Sequence, residues 1–302
     1  MRIGVIGGTG HIGAFLVPML AEAGHRVAVF TRGRQPRPTA AGWAGVVMLE
    51  GDADDPTALA ALAEWEPDAV VEIPGAAARV HAALAGRTGH LVAIGSLWMY
   101  GLPRVVPTPE EPQSPCPFEG YAARYDEIRA MAASSGGAAF TAIMPPNIAG
   151  PGKIPLDCLG GRDPEQHRAH AAGREVVLPE GPDALVGPCD AEDIARCVLL
   201  ALENRAAAAG RIFNVGSASA LTWPEIVAAY GRIYRVTLPI RRIGWEEYRE
   251  RVSPGMGWWW HMQAHMCPDI SLARTLLGYA PRYSPEETLA RGVEWMRGTG
   301  IL

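Results

Sequence analysis

The chain has few cysteines, and none of them is placed to hold structure. Cys116, Cys158, Cys189, Cys197 and Cys267 are odd in number, scattered and never spaced as C-x-x-C. That pattern argues against a disulfide framework and against a zinc knuckle, and it reads as the reduced thiols of a cytoplasmic protein. Clusters of positive charge are missing as well. No run exceeds the pair Arg241 and Arg242, the net charge is −5 and the pI is near 5.9. A nucleic-acid surface is therefore not expected, and a small molecule is the default partner. No stretch of roughly 18 apolar residues is present, so no membrane span is expected. The segment between Arg2 and Glu22 carries no charge, but its glycines, His11 and Pro18 interrupt any signal-peptide core. Repeats and low-complexity linkers are absent apart from the short alanine run at 206–209.

What is present is ordinary globular usage: 302 residues, 48% hydrophobic and 20% charged, enough for a large core with a smaller lobe. The organising stretch is the first, MRIGVIGGTGHIGAF. Ile3, Val5 and Ile6 read as a buried strand, and Gly7, Gly10 and Gly13 follow at G-x-x-G-x-x-G spacing before a helix. One glycine makes a tight turn, one lets backbone N–H groups approach a pyrophosphate, and one lets the helix lie close on its strand. His11 and Ile12 lie inside the same turn, and the expected ligand is a dinucleotide.

The triplet spaced three and three resembles the short-chain dehydrogenase/reductase superfamily, whose extended branch includes the NAD-dependent epimerases and dehydratases. The resemblance implies an α/β fold, a doubly wound parallel Rossmann sheet with a smaller C-terminal α+β substrate lobe. We place the core at residues 1–155 plus 186–217 and the lobe at 156–185 plus 218–302. A helix is expected from His11 to Ala23 and a second strand from Arg26 to Phe30. After that strand an acid would bond the adenosine ribose of NAD, but the sequence gives Thr31, Arg32, Gly33 and Arg34. Arginines here suit a 2′-phosphate, so Arg32 and Arg34 favour NADP, with NAD as the alternative.

Further segments fall in the family's order. Val46 to Leu49 reads as a third strand. Asp52 and Ala53 follow it where the family places an aspartate beside the adenine, and Asp55 reads as the cap of a helix from Thr57 to Trp65. Ala69 to Ile73 is a fourth strand ending in Pro74 and Gly75, small residues that the resemblance sets against the cofactor. Glu72 inside it is a buried acid without an evident partner. His90 to Ile94 leads into Ser96, Leu97, Trp98, Met99, Tyr100 and Gly101, close to the family's "SSxxVYG" signature. Ser96 is thereby expected to hydrogen-bond the substrate oxygen, with Trp98 beside it.

Tyr121, 25 positions on, fits the catalytic tyrosine of the family's Tyr-x-x-x-Lys pattern. A phenol with an ordinary pKa near ~10 needs a nearby cation to exchange protons at neutral pH. The lysine position, however, is Tyr125, which could bond the nicotinamide ribose but brings no charge. Arg124 is the nearest cation, and a second register pairs Tyr125 with Arg129. A lysine restored at 125 is expected to keep cofactor binding and lower the pH optimum. A sixth strand, Ala139 to Met144, precedes Pro145, Pro146, Asn147, Ile148, Ala149, Gly150, Pro151 and Gly152, which resembles the "RPxNxYGPG" turn beside the carboxamide. Pro145 and Asn147 are the cofactor candidates, and Asn147 is also a substrate candidate.

The stretch from Asp157 to Gly173 reads as helical, and Glu175 to Leu178 as a strand. Asp190 and Asp193 resemble the family's "vDDvA" return to the core. Thr222-Trp223-Pro224-Glu225 and Ser284-Pro285-Glu286-Glu287 both read as capping boxes. The unusual segment MGWWWHMQAHMC, Met256 to Cys267, places His261 and His265 four apart on one helical face, with no third ligand spaced to join them. Substrate contact or packing is expected, and no metal. Arg241, with Arg242, Arg249 and Arg251, is the candidate for a substrate diphosphate. The function that follows is hydride transfer by an NAD(P)-dependent epimerase or dehydratase at a hydroxyl or keto carbon of a sugar-like or polyhydroxylated small molecule, with a homodimer left open. The alternatives are an NADP-dependent ketone or aldehyde reductase and a non-catalytic dinucleotide-binding sensor.

Overall fold

Short apolar runs without polar alternation, such as Leu91-Val92-Ala93-Ile94, suit strands covered on both faces, and such strands favour a parallel sheet. The computed structural model describes residues 1–134, 136–253 and 258–302, and it shows that sheet. Its strands are β1 (Arg2–Ile6), β2 (Arg26–Thr31), β3 (Val47–Glu50), β4 (Ala69–Glu72), β5 (His90–Ile94) and β6 (Ala139–Met144). Four short strands follow, β7 (Ile148–Ala149), β8 (Val176–Pro179), β9 (Leu185–Val186) and β10 (Cys189–Asp190), before β11 (Arg211–Asn214) returns to the sheet. The sheet order is β11-β6-β5-β4-β1-β2-β3, with every neighbouring pair parallel. The direction of winding reverses between β1 and β4, and ligands of doubly wound sheets bind beyond the strand ends at that point.

On one face α1 (Gly13–Glu22) packs with α6 (Ala191–Glu203) and α11 (Ser271–Leu277). The other face carries α2 (Ala60–Glu64), α3 (Ala77–Ala83) and α4 (Glu119–Ala133). A third apolar cluster lies apart from both, built around Leu156, Leu178, Trp223, Tyr230, Tyr248 and Leu289. It draws on α5 (Pro164–Ala171), α8 (Trp223–Tyr234), α10 (Trp258–Gln263) and α12 (Pro285–Gly298), with β13 (Ile240–Ile243) paired to β8 and β12 (Leu221–Thr222) to β9. The remaining short helices are α7 (Arg205–Ala208) and α9 (Trp245–Glu247).

Polar residues fasten this cluster to the sheet. Asp190 caps α6 by accepting from Glu192 N and also receives Arg291 Nε at 2.8 Å, while Asp193 accepts from the backbone of Arg282 and Tyr283. The Asp190 carboxylate packs so tightly on Gly150, φ +94°, that a side chain there would meet it at 2.6 Å. The turn that follows β6 is therefore pinned from behind.

Several local expectations change. Residues 157–163 are not helical, because Asp157 folds them into a loop by accepting from Leu159 N, Gly161 N and Asp163 N; the helix starts only at Pro164. Asp55 accepts from Thr57 N and Oγ1, yet the α-helix behind it begins at Ala60. The Ser284 capping box is formed in full, whereas Thr222 makes no cap bond and the Glu225 carboxylate pairs with Arg232 instead of reaching back to residue 222. Glu72 finds its purpose in the turn after β4, where Oε1 accepts from Gly75 N and from Ala76 N at 2.7 Å.

Candidate active site

The glycine loop leaves the end of β1 and needs its glycines for space. Gly7 adopts φ +79°, and a side chain on it would press on Pro74 at 3.0 Å. A Cβ on Gly10 would lie 3.2 Å from the Gly7 carbonyl oxygen, and one on Gly13 only 2.3 Å from that of Gly8. The backbone is thus packed against itself at the start of α1, where N–H groups are unpaired and anions are favoured. Ile12 is 4% exposed and belongs to the core, so only its backbone can serve a ligand.

A cleft of about 900 Å³ opens over this loop, bounded by Gly7, Gly10, His11, Phe30, Pro74 and Gly152. Its size is that of a large ligand site. Arg32 and Arg34 stand exposed at its mouth, and neither forms an ion pair among the described residues. Ala53 and Asp54 line the adjoining rim, while Asp52 turns inward to accept from Asp54 N. Trp295 of α12 also reaches the cleft, which its sequence position gave no reason to expect.

The other candidate residues stand on the end of β5, the start of α4 and the turn after β6. Ser96 is half-buried, and its Oγ accepts from Trp98 N at 3.3 Å, which leaves the hydroxyl proton free to donate. Leu97 N donates to the Pro145 carbonyl, locking this turn to the one after β6. Asn147 is 5% exposed and its Nδ2 has no partner, an orphan donor that a ligand oxygen would satisfy. Tyr121 is half-buried in the first turns of α4, edge-on to Phe118 at 6.0 Å between centroids.

Tyr125 lies elsewhere than the ribose-binding role anticipates. It is 5% exposed, packed edge-on against Tyr100 at 5.3 Å, with Arg129, Glu111 and Asp126 as its charged neighbours; burial raises its pKa. A lysine at 125 would bury an ammonium beside Arg129, so the expected gain from restoring it does not follow from this packing. The cation of α4 that reaches the cofactor loop is Arg124. Its guanidinium covers Gly75 so closely that a Cβ there would collide with it, and it stands 5.9 Å from the Tyr121 ring centroid. Glu72 lies beside it; burial raises the Glu72 pKa, while the two backbone N–H groups and then Arg124 oppose that rise.

Aromatic rings pack on one another beyond Ser96. Trp98 meets Phe118 at 5.6 Å and His261 at 5.5 Å, and Phe118 meets Trp260 at 5.6 Å. His261 Nδ1 donates to the Gly160 carbonyl at 2.8 Å, and burial lowers its pKa to about 4, so the ring is neutral. The helix ends at Gln263, and His265 instead accepts from Leu185 N through Nδ1; the two histidines do not share a site. Among the described residues no group of three metal-ligating side chains occurs, and Met256 and Gly257 lie outside the described residues. Arg241 is paired with Glu175 at 2.7 Å and Arg242 with Asp183 at 2.7 Å. Two cations that sequence reasoning passed over, Lys153 and Arg162, act electrostatically on His11, which lines the cleft. The signal was available, because Lys153 is the chain's one lysine and directly follows Gly150-Pro151-Gly152.

The family model described as the NAD dependent epimerase/dehydratase family matches residues 3–216. The chain belongs to this family. It is an enzyme of the extended short-chain dehydrogenase/reductase type, built for a nicotinamide dinucleotide, and the glycine loop and orphan Asn147 amide fit that group. Similar solved structures include UDP-glucose-4-epimerase from Stenotrophomonas maltophila with bound NAD and formylated UDP-arabinopyranose, 19% identical with TM-score 0.77 over 99% of each chain. The Bordetella bronchiseptica enzyme WbmG in complex with NAD is 19% identical, TM-score 0.75, over 100% of this chain and 95% of that one. UDP-glucose 4-epimerase from Thermotoga maritima with UDP-glucose is 21% identical, TM-score 0.74, over 99% of both. No curated protein sequence matches the chain. No helix among the described residues is long and apolar enough to cross a membrane.

Proposed function

We propose that this enzyme transfers a hydride at a hydroxyl or keto carbon of a small polyhydroxylated molecule, with Tyr121 as the proton-transfer residue and Ser96 on the same substrate oxygen. The observation that carries the reading is the approach of Arg124 to both Tyr121 and the Gly75 loop, which supplies the charge absent from position 125. When bound, the nicotinamide supplies the hydride acceptor and donor. The chain's residues do the rest: Gly7, Gly10 and Gly13 let backbone amides hold the pyrophosphate, and the Asn147 amide bonds a ligand oxygen. The Ser96 hydroxyl donates to the reacting oxygen while the Tyr121 oxygen takes or returns its proton.

Arg32 and Arg34, unpaired at the mouth, support NADP as the preferred cofactor. The extended family and the neighbours' sugar-nucleotide ligands support an epimerase or dehydratase acting on a sugar-like substrate, with residues 1–155 plus 186–217 as the cofactor-binding unit and the remainder as the substrate lobe. The test is Tyr121→Phe with both oxidised cofactors titrated by calorimetry. Turnover should fall by about 10²–10⁴ while NADP binding is retained and stays tighter than NAD binding. A Tyr121→Phe protein with undiminished turnover removes the tyrosine from the chemistry, and tighter NAD binding reverses the cofactor assignment.

A further inference from the structure

The last helix, α12, belongs to the outer cluster, yet it is fastened to the turn after β6 along one of its faces. Arg291 gives Nε to Asp190 at 2.8 Å, and the Asp190 carboxylate packs on Gly150. Gly292 lies against Pro155, so close that a Cβ on it would stand 3.2 Å from the ring. Val293 and Met296 are fully buried, and the helix also packs on β7 and β10. A helix held in this way presents the remaining side chain of that turn at a fixed place.

That side chain is Trp295. It follows Gly292 by three residues and so lies on nearly the same face of the helix. Its indole is half-buried and borders the cofactor cleft, where Thr9, Gly10, His11 and Gly152 also stand. Every other residue that borders this cleft, among the described residues, lies at or before Gly152. Gly152 in turn rests on His11, since a Cβ there would come within 3.1 Å of the imidazole. Because α12 is tied to the turn that carries Gly152, the indole enters the cleft beside the glycine loop. Arg32 and Arg34 follow β2 and mark a different part of the wall. An aromatic ring exposed toward a ligand cleft gains by being covered, and a backbone amide holds an anion more firmly where a ring keeps water away.

We propose that Trp295 is a cofactor-binding residue of this enzyme, its indole covering the dinucleotide at the pyrophosphate over the glycine loop, so that the C-terminal helix completes the site. The inference rests on a nicotinamide dinucleotide as the occupant of the cleft. It is independent of Ser96 and Tyr121, and of the choice between NADP and NAD. It also makes α12 part of the cofactor site as well as of the substrate lobe.

The experiment is calorimetric titration of the full chain with NADP, NAD and 2′-AMP, which lacks the pyrophosphate. Trp295→Ala should weaken both dinucleotides about tenfold and by similar factors, leave 2′-AMP binding as in the parent, and leave the urea midpoint unchanged. Trp295→Phe keeps a ring over the loop and should recover most of the affinity. Trp295→Gln keeps bulk without a ring and should behave as Trp295→Ala does, so if one of these two variants fails to fold the other decides. Dinucleotide binding that neither variant weakens overturns the proposal. A loss shared by 2′-AMP, or one confined to NADP, also overturns it, because the indole would then lie at the adenosine phosphate. A reversed cofactor preference changes which dinucleotide binds more tightly but not the factor that Trp295→Ala imposes, and Tyr121→Phe should bind both as the parent does. Failure of the catalytic or NADP assignment is thereby read separately from failure of this one.

Discussion

The two ends of the cleft are made of different material. At the glycine loop the binding groups are backbone amides, and the side chains around them are constrained mainly by size: Gly13 cannot carry a Cβ without striking Gly8, and Ile12 is buried in the core. At the Ser96 end the groups are side chains brought from β5, α4, the turn after β6 and α10. A backbone site is fixed by local sequence and tolerates almost no substitution. A side-chain site depends on which residues a distant segment happens to supply, so one role can pass from one position to another. We read Arg124 as such a passage for the charge absent from position 125, one residue away on the same helix.

The difference is tested most severely at the loop. Gly13→Val should abolish measurable dinucleotide binding, a loss of more than about 100-fold, because the start of α1 would be forced away from Gly8 and the amides with it. Binding within tenfold of the parent, with the helical circular dichroism retained, would show that the loop has room that its geometry denies.

The other end should respond by degrees. Arg124→Met should lower turnover by about tenfold, since its guanidinium both covers Gly75 and approaches the Tyr121 ring. Arg124→Lys should recover most of the loss. Undiminished turnover in Arg124→Met would reduce this arginine to a packing role over Gly75.

This contrast also explains what could be read without a structure. The sheet, its switch point and the glycine loop were legible because period and spacing are local properties of the chain, and residues 2–6 and 90–94 form strands where the apolar runs stand. Ser96 and Asn147 stood out as candidates because each sits at a strand's end beside recognisable turns. Tyr125 and Thr222 met neighbours that their positions in the sequence do not show. In both, sequence gave a partner position, and a neighbour in space, Tyr100 in one case and Arg232 in the other, took the side chain or its partner instead.

One histidine from each region offers a stability test that spans the comparison. His90, 1% exposed, bonds Thr141 Oγ1 across β5 and β6; His170, 2% exposed, accepts from Cys158 N in the outer cluster through Nε2. Burial is the main cause lowering both to about 4, followed by Arg205 for His90 and His167 for His170. Because the folded value lies below the unfolded one, near 6.5, their contribution is complete above pH 6.5 and is lost as pH falls toward 4. At pH 5.5 each should have cost about 1 kcal/mol relative to pH 7. Urea unfolding should therefore weaken between pH 6.5 and 5, and unchanged stability over that window would mean that both rings are charged in the fold.

The smallest effect separates two helix starts that look alike in sequence. Ser284 Oγ accepts from Glu287 N while the Glu287 carboxylate accepts from Ser284 N at 2.8 Å, so two otherwise unpaired backbone donors of α12 are satisfied. Thr222 opens α8 with the same spacing but makes no such bond, and Glu225 is held by Arg232, which also grips Glu286. Ser284→Ala should cost about 1 kcal/mol, whereas Thr222→Ala should cost no more than a few tenths. Arg232 decides which reading of Glu225 holds. In an Arg232→Ala background Glu225 is released to reach back to Thr222, and a cap that forms there would make Thr222→Ala costlier than in the parent. An unchanged, near-zero cost in that background would show that the backbone at 222, rather than competition for Glu225, prevents the box.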